Sequence, residues 1–426
     1  MPTNKEILVA NNEKIEQLTD TLKNKILKAQ EQGEYLVRVI DYDGTTLKEK
    51  WLNTGDAFEL PEPPTNHERL IWQDWSSPVD IVDNQVVVEE QDIIIGAIYT
   101  TKSGLTEIDI MLNKVNAPNI ETGGFVVTIN IEGNKNWGDD TSDAETTHTY
   151  YAHGNYTITC DGLQIPDKVF AQTSSDRNNY VENIHFAGAV RFLGTGSYHH
   201  IGYCNLLKTI TLPKDMSMIE GYTRFESYYN PLLKAIIIPN GAKQVGTAEG
   251  CYSLIHCVLP STVRNTGTRQ LCKASIKYFS FPKSLNYITN GFFEDFYNIE
   301  NIKIPDTITQ IGSRVFYGTN IKEIILPDNI QEITDAFIYC SYLSKIKMPS
   351  NVSNIKASAF SSCSVLLLYD FSKSIQVPTL ANINAFNGIN ASAKIVVPDT
   401  LYDEWVLATN WTTYANYIYK ASEVNL

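Results

Sequence analysis

The sequence predicts a mainly β protein whose second half is a solenoid, and three periodic features carry that expectation. Pro213, Pro239, Pro260, Pro282, Pro305, Pro327, Pro349, Pro378 and Pro398 each follow an apolar residue and recur at intervals of 20 to 29 residues. A phenylalanine stands 12 residues before the proline in three repeats (Phe293, Phe337, Phe386) and 11 before it in a fourth (Phe316). Cys204, Cys251 and Cys340 stand nine residues before their prolines, and Cys272 stands ten before. Self-similarity at this period belongs to stacked coils, each of which adds one short strand to a parallel sheet.

One repeat, Ile311 to Pro327, shows the logic. Ile321, Ile324 and Leu326 form the inward column, and the proline ends the strand because it cannot donate to a sheet ladder. The phenylalanines are expected to form a second buried column, and the cysteines a column of buried thiols. A lone coil cannot stand. Its few buried aliphatics supply ~1.5 to 3 kcal/mol each, against ~1 to 2 kcal/mol per residue for ordering the backbone. Stacking is therefore obligatory and both ends need covering.

Composition narrows the function. The net charge of -14 opposes nonspecific nucleic-acid binding, which needs clustered Lys and Arg. No apolar run reaches transmembrane length. The seven cysteines include no Cys-x-x-Cys, so zinc-ligand spacing is absent. No Gly-x-Ser-x-Gly elbow, phosphate loop or His-Glu-x-x-His occurs, so neither an enzyme nor a cofactor is expected. Twenty-four tyrosines suit contact with a protein or glycan, because a rigid ring offers area at low entropy cost.

Residues 1–32 read as an amphipathic helix. Leu8, Ile15, Leu18, Leu22 and Ile26 make an apolar stripe, expected to drive homo-oligomerisation or anchoring to other virion proteins, or to fold back on the chain. A trimer is the oligomer that analogy with fibres suggests. Its charged residues leave no room for the apolar core of a secretory signal.

Residues 33–100 read as a β module. Val37 to Leu47 form a strand, an Asp43-Gly44 turn and a second strand start. Gly55-Asp56, Pro61-Glu62-Pro63-Pro64 and Ile71-Trp72-Gln73-Asp74-Trp75 follow. This order resembles the Listeria–Bacteroides (internalin B-repeat-like) β-grasp family, which implies a noncatalytic spacer or adhesion module.

Residues 101–162 read as a second β domain, with strands at Glu107–Leu112, Phe125–Ile131 and Asn155–Cys160. Trp137-Gly138-Asp139-Asp140-Thr141, His148-Thr149-Tyr150 and Gly154-Asn155-Tyr156-Thr157-Ile158 resemble the polycystic-kidney-disease-type Ig-like sandwich. Asp140 stands where that family has glycine, which puts the turn geometry in question. Asp139, Asp140, Asp143 and Glu145 offer oxygens of the kind Ca²⁺ takes, but are read as a solvated acidic turn; no metal site is assigned. His148 is read as structural, and the adjacent His199 and His200 as surface contacts.

Residues 163–400 carry the solenoid. Ile302-Lys303-Ile304-Pro305 through Ile311-Gly312, and Ala336-Phe337-Ile338-Tyr339-Cys340, resemble the BspA-like surface-antigen leucine-rich repeats. Residues 401–426, opening on Leu401-Tyr402-Asp403-Glu404-Trp405, resemble that family's last unit and imply a C-terminal capping helix. The fold expected is thus an N-terminal helix, β-grasp-like and Ig-like domains, then a leucine-rich-repeat solenoid with a cap. The resemblance implies recognition of a host-cell surface protein or glycan, without membrane insertion. Tyr228, Tyr229, Tyr252, Tyr297, Tyr317, Tyr339 and Tyr342 are the candidate binding residues. The domain order also resembles phage tail and capsid-decoration proteins, so a virion fibre or decoration protein is expected first. An exported bacterial surface adhesin is the alternative, and a glycan-active enzyme with binding modules a third reading.

Overall fold

The computed structural model describes residues 34–424, apart from residues 66, 167–168, 171–177, 194–200, 216, 219–226, 243, 246–247, 268–270, 272 and 301. The stripe from Leu8 to Ile26, the His199-His200 pair and the degenerate Arg224-Phe225 lie outside the described residues.

The solenoid follows the predicted period. Strands Glu323–Ile325, Lys345–Lys347, Leu368–Asp370, Lys394–Val397 and Ile418–Lys420 form one parallel sheet, paired Ile324 to Ile346 to Tyr369 to Ile395. Those four residues point inward and are buried, as are Ile321 and Leu326. A narrower parallel sheet, aligned Ile333 to Ile355 to Leu380, lies beyond the turn of each coil. Between the two runs the phenylalanine column. Phe293, Phe316, Phe337, Phe360 and Phe386 stack nearly parallel, with centroids 5.2 to 5.8 Å apart.

Among the described residues, nine coils each place one residue in the left-handed region just before the sheet. Tyr203, Tyr229, Gly250, Lys273, Asp295, Gly318, Tyr339, Ser362 and Gly388 have φ between 52° and 78°. Only three of the nine are glycine, so most coils accept the cost a side chain brings to this conformation. The next residue turns into the core, and there Cys204, Cys251, Cys340 and Cys363 are buried.

Two details of the expected register are corrected by this geometry. Strand pairing aligns Pro327 with Pro349 and then with Ser372, since Lys347 pairs with Asp370 and Asp370 with Val396. Ser372, not Pro378, therefore holds the proline position of its coil. With that change Phe360 and Cys363 fall 12 and nine residues before it and join their columns. Cys272 lies outside the described residues, and the thiol position of its coil is held by buried Ala274, which follows left-handed Lys273.

The first β module is a sheet of Thr46–Asn53, Glu34–Ile40, Ile93–Thr101 and Leu70–Ser76 in that order, its central pair parallel. Gly44, at φ 88°, makes the expected turn. The sheet lies on the solenoid face: Ile40, Ile94 and Ile98 pack on Ala235, Ile237 and Val258. Gly96 permits this approach, because a Cβ there would come within 2.7 to 2.8 Å of Ile237. At the Pro282 coil the module replaces sheet pairing. The Gln91 side chain accepts from the Phe281 N–H (2.8 Å) and donates to the Phe281 carbonyl (3.2 Å).

The second β unit continues the solenoid. Its strand Thr106–Leu112 pairs with Gly154–Cys160 on one side and antiparallel with the first solenoid strand, Val181–His185, on the other. One hydrophobic core runs from Ile108 to Ile418, without a break at residue 162. Trp137 is buried, stacks on His148 (5.0 Å, 16°) and accepts the Tyr150 hydroxyl at its carbonyl (2.6 Å). Asp140 adopts φ 68°, the conformation a glycine would take, so the turn keeps its shape.

At the C-terminus the helix is only Tyr402–Leu407, and the sheet edge is taken by the strand Ile418–Lys420 instead. Trp405 and Trp411 are fully buried against Phe371.

Candidate binding surface

The predicted tyrosines fall within one residue before to three residues after the left-handed turn, on one edge of the solenoid. Tyr252, Tyr297, Tyr339 and Tyr342 are exposed, at 44 to 57%. Tyr229 and Tyr317 are half-buried. The Tyr228 side chain lies outside the described residues. The rings meet across coils: Tyr229 stacks on Tyr203 (5.8 Å, 13°) and meets Tyr252 edge-on (6.1 Å), and Tyr317 meets Tyr339 (5.5 Å). Arg314 covers Tyr317 at 4.0 Å and is itself held by Glu294 at 2.6 Å. Tyr297 and Tyr342 sit further out on the same edge.

A second surface was not legible in the sequence. Where the module ends, the sheet face of the solenoid opens into a groove of about 470 Å³. Tyr35, Glu90 and Asp92 line it from the module, and Ile302, Lys303, Ile325, Lys347 and Met348 from the coils. Ile325, 61% exposed at the end of the strand Glu323–Ile325, leaves an apolar surface in the open. Burial works against the Lys303 charge, but Glu90 and the Tyr35 hydroxyl outweigh it and raise its pKa. Burial pushes the Asp92 carboxyl up to about 6, opposed by the Leu36 N–H and by Arg38. The groove exists because the module abuts the regular face of the coils. Its only sequence signal is an alternation of charged and apolar residues around Ile324 and Ile346.

The acidic turn is committed internally. Asp139 accepts from Thr141 and contacts His148 Nε2 at 2.8 Å, while Asp143 accepts from the Trp137 indole (2.9 Å) and the Glu145 N–H (3.0 Å). Among the described residues no cluster of three acids, histidines or cysteines is arranged to hold a metal ion.

Another cluster joins the three parts of the chain. Arg69 of the first module grips Asp109 of the second with two bonds (2.9 and 2.6 Å) and Glu107 at 3.2 Å, and Asn183 of the solenoid donates to Asp109 at 3.1 Å. Burial opposes the Asp109 charge, yet Arg69, Thr157 and Asn183 hold its pKa below the usual carboxylate range. Burial also pushes His185 and His256, both beneath the module, down to about 4, so each is neutral at ordinary pH.

Comparison with known proteins agrees with the repeats. The pattern described as a BspA type Leucine rich repeat region matches residues 163–297 and 268–392, in six copies. A leucine-rich repeat protein from Bacteroides ovatus is 19% identical over 56% of this chain and 66% of its own, with a TM-score of 0.42. A leucine rich cell surface protein from Faecalibacterium prausnitzii is 18% identical over 56% of this chain and 85% of its own, with a TM-score of 0.24. The pneumococcal vaccine antigen PcpA is 14% identical over 56% of this chain and 60% of its own, with a TM-score of 0.31. This chain thus spans just under two thirds of the first of these proteins. No curated protein matches it.

Proposed function

The chain belongs to the BspA-type leucine-rich repeat family, and from that premise we propose that it is a non-enzymatic, adhesin-like recognition protein displayed at a bacterial cell surface. The observation that carries the reading is the tyrosine edge, where rings from every second coil, Tyr252, Tyr297 and Tyr339 with Tyr342, are held exposed at one side of a single continuous core. Such an edge gives many rigid contacts without a closed pocket, which suits adhesion. Display on a virion, as a fibre or decoration, gains no support from the comparisons and is not preferred.

The flanking units are the built-in supports of this display. The sheet order of residues 34–101, with its parallel central pair, supports the β-grasp-like assignment. The Trp137, His148 and Tyr150 packing supports the Ig-like one. Neither hangs as a free spacer, because Arg69, Gln91 and the antiparallel pairing at Val181–His185 tie them to the coils.

The test has two parts. Antibody to residues 163–424 is applied to intact cells of the source bacterium and to phage particles released from it. Label on the cell envelope is expected, and label on particles alone refutes surface display. Tyr252, Tyr297, Tyr339 and Tyr342 are then replaced together by Ala. Binding of the purified chain to target cells is expected to fall at least ~10-fold, by analogy with interface hot spots of ~2 kcal/mol; unchanged binding removes this edge.

A further inference from the structure

The tyrosine edge has a chemical bias that points to its ligand. In the nine coils whose left-handed residue lies among the described residues, the second and third residues after it carry no Asp, Glu, Lys or Arg, from Asn205-Leu206 to Asn390-Ala391. The chain as a whole is 19% charged, and exposed positions usually hold most of the charge. In five coils charges return within two or three residues, at Lys208, Lys234, Lys277, Glu300 and Lys322, so there the avoidance is confined to one stripe; the Tyr252 coil has none before Arg264. Burial explains it only at Ile276 and Ile321. Tyr252, Tyr297 and Tyr342 within the stripe are 44, 56 and 57% exposed.

What occupies the stripe instead is tyrosine, asparagine and serine, interspersed with apolar residues such as Leu232 and Val365. The amides of Asn298 and Asn320 donate to the carbonyls of Ser275 and Tyr297 in the preceding coils, at 3.3 and 2.6 Å. These bonds fix each amide in place, so its oxygen is a preset acceptor. Coils repeat at the strand spacing, about 4.8 Å, close to the length of one pyranose unit in an extended polysaccharide. Tyr252 and Tyr342 lie four coils apart and so span about 19 Å along the axis.

We propose that this stripe binds a linear, uncharged polysaccharide lying along the solenoid axis, in register with the coils. Exposed phenol rings stack on sugar faces, and the amide and hydroxyl groups between them pair with sugar hydroxyls. An anionic glycan or nucleic acid finds no cation in the stripe, and a protein partner gains no charge complementarity to select it. The proposal rests on the tyrosine edge being the binding surface and adds the class of its ligand.

The experiment uses the full chain in affinity gels containing hydroxyethylcellulose, laminarin, galactomannan or xylan, with binding to target cells measured in parallel. Retardation by at least one of these polymers is expected, unchanged up to ~1 M salt, where the screening length falls to about 3 Å. Joint replacement of Tyr252, Tyr297 and Tyr342 by Ala is expected to weaken it at least ~10-fold, while replacement by Phe keeps the rings and most of the retardation. No retardation by any of the polymers, with cell binding abolished by protease treatment of the cells and spared by periodate, overturns the glycan assignment and leaves the edge as a protein-binding surface. Cell binding that survives the Ala replacements overturns the edge itself.

Discussion

Replacing Ser372 by Pro tests the corrected coil register directly. Pairing puts Ser372 where Pro327, Pro349 and Pro398 stand in neighbouring coils, so the backbone there should accept proline. The difference is that the Ser372 N–H donates to the Asp370 carboxylate at 2.9 Å, and Asp370 is buried. Removing a hydrogen bond to a charged group costs ~1.5 to 3 kcal/mol, whereas proline at a compatible site returns ~0.4 to 1 kcal/mol by restricting the unfolded chain. Ser372→Pro alone is therefore expected to destabilise by about 1 to 2 kcal/mol. In an Asp370→Ala background the bond is already gone, and the same change is expected to stabilise by ~0.4 to 1 kcal/mol. The assay is equilibrium urea unfolding of the wild type, both single variants and the double variant, which gives a coupling of ~1.5 to 3 kcal/mol. If Ser372→Pro is as damaging without Asp370 as with it, the backbone at 372 is not proline-like and the register argument fails.

Two further changes probe the core and the junction. Phe337→Ala, which empties a place between rings at 5.2 and 5.5 Å, is expected to cost ~3 to 5 kcal/mol in urea unfolding, and a cost below ~1 kcal/mol would show that the stacked column does not support the coils. Asp92 has its pKa raised to about 6 by burial, so the folded chain holds the proton more tightly than the unfolded one, and stability falls as pH rises from about 4 to about 6. Asp92→Asn keeps an acceptor for the Leu36 N–H and is expected to flatten this slope, gaining on the order of 1 to 3 kcal/mol at pH 7; identical pH profiles for variant and wild type would contradict it.

The repeat period, the inward column of Ile321, Ile324 and Leu326, and the phenylalanine stack were legible because each depends on contacts that recur at one interval. The strands at Glu107–Leu112 and Asn155–Cys160 and the turn at Gly44 were legible for a similar reason: alternation and turn residues act within a few positions. The Pro378 misreading shows the limit of that approach. A proline marks a position only while neighbouring strands keep it in register, and Ser372 replaces it without changing the coil. The tyrosines could be grouped from sequence, but the division into exposed Tyr297 and half-buried Tyr317 depends on Arg314, which covers Tyr317 from the same turn and is held there by Glu294 of the preceding coil.

By itself the sequence determined a stacked β solenoid with two β units before it, because periodic burial and proline placement leave few other ways to satisfy the backbone. Only the tertiary structure decided that the first unit lies on the coils and that the second extends their sheet. Gln91 pairing with Phe281, Arg69 gripping Asp109, and Ile40 against Ala235 join residues far apart in the chain. Such contacts leave no periodic trace, since each is made once, by shape and charge, where two surfaces meet.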